Sequence, residues 1–381
     1  MFRLAPLALS CLLATAAVAS AAMAAPVSTA PAAARFDAKA LATALDARID
    51  DAARAGFSGT VLVADGTHVV YERSVGLADP AGAKIGPDTR FNMASTGKLF
   101  TTVSILQLVQ QGKLDLDAPI RRYLPKWPVA SVRDHVTVRE LLMHTSGLGL
   151  YWGEDFQARR ASLHTLSDYI PLLAKEPEFT PGTAWRYSNS GFMVLGLIVE
   201  AVSKQDYYAY VAEHIFQPAG MHDTGYFEVD GKATNVATPM PGGTGADAHT
   251  ALRMPEPRGG AAGGGYSTPR DLLKFHRALT VGKLLDAKTR ALLFAPVTLP
   301  AGSHAPPHGL GLLRFAVGND VGYGHPGGAP GVGVDFRATR DSGWSVIVMS
   351  NSGSPRTMPF ADALLGDVAA AGAPDLRFPM P

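Results

Sequence analysis

The sequence predicts an α/β (α+β) fold in which one antiparallel sheet, assembled from both chain ends, is flanked by helices and interrupted by a mainly helical lobe. Three observations carry this. Residues 57–76 read as two strands meeting at Asp65-Gly66, a strong hairpin dipeptide. Residues 309–317, 331–339 and 343–350 read as strands near the other end. The stretch between, roughly 113–260, carries short helical patterns and long loops.

The first element is Arg3, an apolar run over 4–19 and the small residues Ala22-Met23-Ala24, the pattern of a secretory signal cleaved after Ala24. A retained membrane anchor is the competing reading, but the run is interrupted and short for a span. Lipid attachment at Cys11 has too little chain before it. Removing residues 1–24 takes the only cysteine, so no disulfide or thiol nucleophile remains. It also takes Arg3, one of 34 basic residues, which levels them with the 33 acidic ones. Zero net charge without a basic cluster argues against nucleic acid as a partner. A periplasmic or extracellular location is expected. With 381 residues, 47% hydrophobic and 18% charged, the chain is globular in composition and long enough for a large core. The longest later apolar run, 192–199, ends at Glu200 and is too short to cross a bilayer, so no stable membrane insertion is expected after cleavage.

Residues 25–35 are an Ala/Pro-rich linker ahead of a domain at 36–371 and a tail at 372–381. Residues 37–55 are predicted helical, with Leu41, Leu45 and Ile49 on one stripe and Gly56 as the stop. The hairpin follows. Ser95 is expected to open the next helix; its stripe of Leu99, Val103 and Leu106, widened by Phe100, Ile105, Leu108 and Val109, marks it as buried, and Gly112 ends it. Thr137 and Glu140 form a capping box for a short helix, and residues 190–203 form another apolar helix. The glycine-rich run 258–266 precedes Thr268-Pro269-Arg270-Asp271, a cap, a first-turn proline and a carboxylate in order. A helix over 359–371 closes the domain. There is no internal repeat, and no segment marks an oligomeric interface.

Ser95 and Lys98 raise a chemical question. A serine hydroxyl is a poor nucleophile until something accepts its proton. Neutralising a lysine of ordinary pKa, near 10.4, at pH 7 costs about 4.6 kcal/mol, and burial lowers that cost. One helical turn places the two side chains on the same face, at a helix N-terminus whose N–H groups favour negative charge. A helix-start serine followed by a surface lysine is the ordinary alternative. Tyr187, Ser188 and Asn189 form a polar loop before the next apolar helix, either an N-cap with a packed tyrosine or a second proton-handling element. "YGHPGGAPGVG" (323–333), with His325, Gly327 and Gly328, lies before a strand; it is either a glycine-rich turn or a source of a second backbone donor.

The order of these segments resembles the serine β-lactamase and penicillin-binding superfamily, within it the branch of class C β-lactamases, D-Ala-D-Ala carboxypeptidases, D-aminopeptidases and β-lactamase-like carboxylesterases. Ser95-Thr96-Gly97-Lys98 matches the family's Ser-x-x-Lys, Tyr187-Ser188-Asn189 its Tyr-x-Asn, and His325-Pro326-Gly327 falls at its Lys-Thr-Gly or His-x-Gly. "LLMHTSGL" (141–148), "IFQPAGMHDTGY" (215–226), "GGGYSTPRDLLKF" (263–275) and "SNSG" (350–353) match as well, so the resemblance spans roughly 40–370. It implies a β-lactamase/transpeptidase-like fold with Ser95 as acylated nucleophile and Lys98 with Tyr187 as shared base and acid. The Ser95 and Gly328 N–H groups would form the oxyanion hole, and Asn189, His325 and Gly327 would lie at the substrate site. No metal or cofactor is implied.

Two departures shift the expected substrate. His325 stands where the family's lysine helps bind a carboxylate, and is mostly neutral at pH 7. Pro326 supplies neither hydroxyl nor N–H. A small ester or amide is therefore favoured over a cell-wall D-Ala-D-Ala peptide or a β-lactam, with a catalytically silent binding or sensor protein as the alternative of another class. Two decoys are set aside, and two further motifs are absent. Gly322–Gly327 spells G-x-G-x-x-G without a βαβ unit, Asp223-Thr224-Gly225 occurs once where an aspartic protease needs a pair, and there is no H-E-x-x-H or G-x-S-x-G.

Overall fold

A computed structural model describes residues 36–377 except 227, 229–233 and 241–257. The expected signal segment 1–24 and linker 25–35, parts of the 113–260 stretch and the last four residues of the 372–381 tail lie outside the described residues.

Helix α1 (Ala38–Arg54) starts where Asp37 accepts the N–H groups of Lys39 and Ala40, and it buries Leu41, Leu45 and Ile49 as the stripe requires. Strands β1 (Gly59–Asp65) and β2 (His68–Val75) form the expected hairpin. Strand β1 then pairs along its whole length with β8 (Trp344–Ser350), bringing the two chain ends into one sheet. With β5 (Leu313–Val317), β6 (Asp320–Ala329) and β7 (Val332–Thr339), the order is β2-β1-β8-β7-β6-β5, every pair antiparallel.

Strand β1 is buried on both faces, and its alternation shows why. Val61 and Val63 pack with α1 and with Leu364, Leu365 and Val368 of the Ser354–Ala370 helix. Leu62 and Ala64 face the larger core built with helix α2 (Lys98–Gln110) and the Asn189–Ser203 helix. The sheet is thus sandwiched between two terminal helices and the helical middle of the chain. No helix among the described residues is long and apolar enough to cross a membrane.

Four elements differ from expectation. Most of the segment 323–333, read as glycine-rich and lying before a strand, belongs to a strand of its own, Asp320–Ala329, between β5 and β7. Glycine and proline mask strand patterning. Pro326 lies beyond Gly324, the last residue paired with β5, and stays in register with Asp335 of β7. The strand expected from residue 309 begins at Leu313. The terminal helix begins at Ser354 and carries Pro359 within it. Ser95 does not open α2 as a cap; it lies inside a 3-10 turn, Ala94–Gly97, that runs into α2 at Lys98.

A two-residue pairing matters more than its size. Strand β3 (Phe91–Asn92) lies just before that turn and β4 (Tyr266–Ser267) just after the glycine-rich run, and the two pair antiparallel. This joins the Ser95 turn to the 258–266 run.

Candidate active site

The turn carrying Ser95 is held from two sides. On one, the Gly264 N–H donates to the Ala94 carbonyl at 3.0 Å. Gly263 approaches so closely, at φ +141°, that a Cβ would lie 2.5 Å from that carbonyl. On the other, the Thr96 hydroxyl donates to the His325 carbonyl of β6 at 3.0 Å. Ala94 itself sits at φ +43°, an unfavourable region for a residue with a Cβ. Ser95 is thereby presented half-buried between the sheet edge and the glycine-rich run.

Lys98 is fully buried. Its Nζ lies 3.3 Å from Ser95 Oγ and 2.6 Å from Asn189 Oδ1, and it also contacts the Ala262 carbonyl. Asn189, the first residue of its helix, is buried and held against α2 by this contact. The Tyr187 hydroxyl donates to Ser95 Oγ at 2.7 Å. Burial pushes the Tyr187 phenol well above its ordinary value, so it stays protonated and can donate. The structure therefore brings Ser95, Lys98, Tyr187 and Asn189 together from three separate segments.

His325 is buried, with Nδ1 2.6 Å from the Pro326 carbonyl. Burial lowers its pKa to about 3, so the ring carries no positive charge near neutral pH. It lines an open cavity of about 280 Å³ with Ser95, Tyr187, Pro326, Gly327, Gly328 and Met358. A tighter cavity of about 40 Å³ lies against Ser95, walled by Asn92, Tyr151, Trp152, Asn189 and Gly328 among others. Ser95 and Gly328 line both, so an acyl carbon at Ser95 would have space on either side.

Gly327 has a steric reason. A Cβ there would meet the Met93 carbonyl at 2.7 Å and the Ser95 nitrogen at 3.0 Å. Gly327→Ala is expected to push the Ser95 turn off β6 and lower kcat at least about tenfold. Steady-state hydrolysis of a nitrophenyl ester, with a thermal melt as folding control, measures this.

The sequence points to loops 149–165 and 236–262 as shaping the pocket, but not to the Ala262 carbonyl or to Tyr151 and Trp152 individually. A backbone acceptor has no residue signature, and the visible trace was the glycine-rich run itself. That run is fixed in part by Thr101, one turn beyond Lys98, whose hydroxyl donates to the Ala261 carbonyl at 2.7 Å and meets Tyr207 Oη at 2.6 Å. Among the described residues, no group of three or more His, Cys, Asp or Glu side chains converges as a metal site.

A family model described as Beta-lactamase matches residues 41–370. Esterase EstB of Burkholderia gladioli is 31% identical, over 88% of this chain and 97% of the esterase. A putative penicillin-binding protein of Bacillus subtilis (strain 168), PbpX, is 29% identical over 78% of this chain and 71% of its own length. Two solved structures superpose over most of the chain. A penicillin binding protein from Bacillus halodurans does so with TM-score 0.71 at 31% identity, covering 86% of this chain and 98% of that one. A D-amino acid amidase from Ochrobactrum anthropi SV3 does so with TM-score 0.70 at 26% identity, covering 87% and 98%.

Proposed function

The chain belongs to the Beta-lactamase family and is a serine hydrolase of the esterase or amidase/peptidase kind, and on that premise we propose that it is an exported enzyme hydrolysing small esters or amides through an acyl-enzyme on Ser95. The observation that carries the reading is one hydroxyl met by both proton-handling groups, Tyr187 Oη at 2.7 Å and Lys98 Nζ at 3.3 Å.

The base in this reading is the neutral form of Lys98. An amine has two N–H donors and one lone pair. In that form Lys98 would donate to Asn189 Oδ1 and the Ala262 carbonyl and turn its lone pair to Ser95 Oγ, 3.3 Å away. Ser95 Oγ adds to the substrate carbonyl as its proton passes to Lys98. The oxyanion forms beside the Ser95 and Gly328 N–H groups, and each such donor is worth about 3–4 kcal/mol. Tyr187 donates its proton to the departing oxygen or nitrogen and is reprotonated from Lys98. Water then adds to the acyl-enzyme by the same relay in reverse.

The uncharged His325 supports an ester without a carboxylate over a penicillin or a D-Ala-D-Ala tail. No Lys or Arg appears among the described residues lining the two cavities at Ser95. The substrate is a small molecule, with no nucleic-acid partner. Export rests on the residue pattern at 1–24, and the N-terminal sequence of protein recovered from the periplasm tests it.

A fluorescent fluorophosphonate and a fluorescent penicillin, each applied to native protein and to Ser95→Ala, test the activity. Labelling of native protein by the phosphonate alone, lost in Ser95→Ala, is the expected result. Labelling by both probes instead favours the carboxypeptidase or β-lactamase reading. Labelling by neither leaves a silent binding protein and overturns the proposal.

A further inference from the structure

The motif at 141–148 contributes a histidine with no part in the relay above. His144 follows the Val138–Leu142 helix and sits at φ +58°, a left-handed backbone that few residues with a Cβ adopt. It is buried. Its carbonyl accepts the Arg186 N–H at 2.9 Å, and its Nδ1 accepts the Ser188 N–H at 3.1 Å. These are the residues on either side of Tyr187. The imidazole also lies along the Tyr187 ring, centroids 4.6 Å apart at 33°, and along Phe192 at 5.2 Å. One residue thus grips the segment before, at and after the phenol.

We propose that His144 is a positioning residue that clamps residues 186–188 so that the Tyr187 hydroxyl meets Ser95. This rests on the relay proposed above. The left-handed backbone has a purpose in this arrangement: it turns the carbonyl and the ring nitrogen of one residue toward the same segment. Because Nδ1 accepts a backbone N–H, the ring proton sits on Nε2 and the imidazole is neutral. Deep burial holds its pKa well below the ordinary histidine value, so the clamp persists through the neutral range. The clamp reaches Asn189 too. The Ser188 N–H is bonded to His144 while the Ser188 hydroxyl caps the helix through the Gly191 N–H at 2.8 Å, which places Asn189 against Lys98. His144 transfers no proton.

Two variants of the full chain separate the acceptor from the ring. His144→Phe keeps an aromatic face against Tyr187 and removes the acceptor. His144→Asn keeps an acceptor at the δ position, tolerates positive φ and removes the ring. Both are assayed on a nitrophenyl ester for kcat and KM, with kcat expressed per site labelled at the end point by fluorophosphonate, so that misfolded protein is not counted. The expected result is a kcat about 100-fold lower for His144→Phe with KM within twofold, and rescue in His144→Asn to within tenfold of native. A loss below tenfold in His144→Phe overturns the proposal, as does a loss above tenfold in His144→Asn. If His144→Phe does not fold, His144→Asn decides by the same tenfold line. Native protein that neither turns over ester nor labels at Ser95 sinks the relay and the clamp together. Active native protein with an indifferent His144→Phe sinks the clamp alone.

Discussion

Ser95→Ala is expected to lower kcat on a nitrophenyl ester by about 10⁵-fold and leave the fold in place. The magnitude follows from chemistry: with no hydroxyl there is no acyl-enzyme, and residual turnover rests on binding and backbone donors alone. The fold survives because Ser95 is half-exposed and its hydroxyl makes no contact on which packing depends. Its partners are the Tyr187 hydroxyl and Lys98 Nζ. Tyr187 loses an acceptor that water can replace, a change of about 1 kcal/mol. Steady-state kinetics together with a thermal melt test both halves. Activity within a hundredfold of native, in a folded variant, would place the nucleophile elsewhere.

Lys98→Met is expected to cost about 10⁴-fold in kcat, the upper end of what one general base contributes. Methionine fills much the same buried channel without a lone pair to take the Ser95 proton. Stability responds to two opposing terms. The Asn189 and Ala262 oxygens lose a donor, at about 1–3 kcal/mol each, while the cost of burying an amine is relieved. A net change within about 3 kcal/mol is expected, readable as the midpoint of denaturant unfolding. Lys98→Arg should not rescue activity, because a guanidinium stays protonated and cannot act as a base. A methionine variant retaining a tenth of native kcat would remove Lys98 from the relay.

Much of the scaffold was legible before any coordinates. The stripe Leu41, Leu45, Ile49 names the buried face of α1, and the Asp65-Gly66 dipeptide locates the hairpin. The capping box at Thr137 and Glu140 and the proline start at Pro269 are present where local chemistry requires them. Strand β6 was illegible for a physical reason. Its glycines leave room for neighbouring strands and for the Ser95 turn, and their spacing follows those neighbours rather than any burial period of their own.

The site divides along the same line. Ser95 and Lys98 were adjacent by arithmetic, since a separation of three along a helical backbone brings two side chains to one face. Tyr187 is 92 positions from Ser95, and Ala262 is 164 from Lys98. The polar loop before a helix and the motif resemblance nominated the first of these; for the second only the glycine-rich run was visible, not the carbonyl itself.

The sequence by itself determined many of the local pieces: the first helix and its buried stripe, the hairpin, the capped helix starts, and that a serine and a lysine share a turn. Those follow from short-range geometry, capable of being read in a window of a dozen residues. Tertiary structure decided what surrounds that pair. Contacts of the Ser95 turn with β6 and the glycine-rich run, and of Lys98 with the Asn189–Ser203 helix, bring a phenol, an amide oxygen and a backbone carbonyl to it. Convergence of that kind depends on long-range packing, which no local window contains.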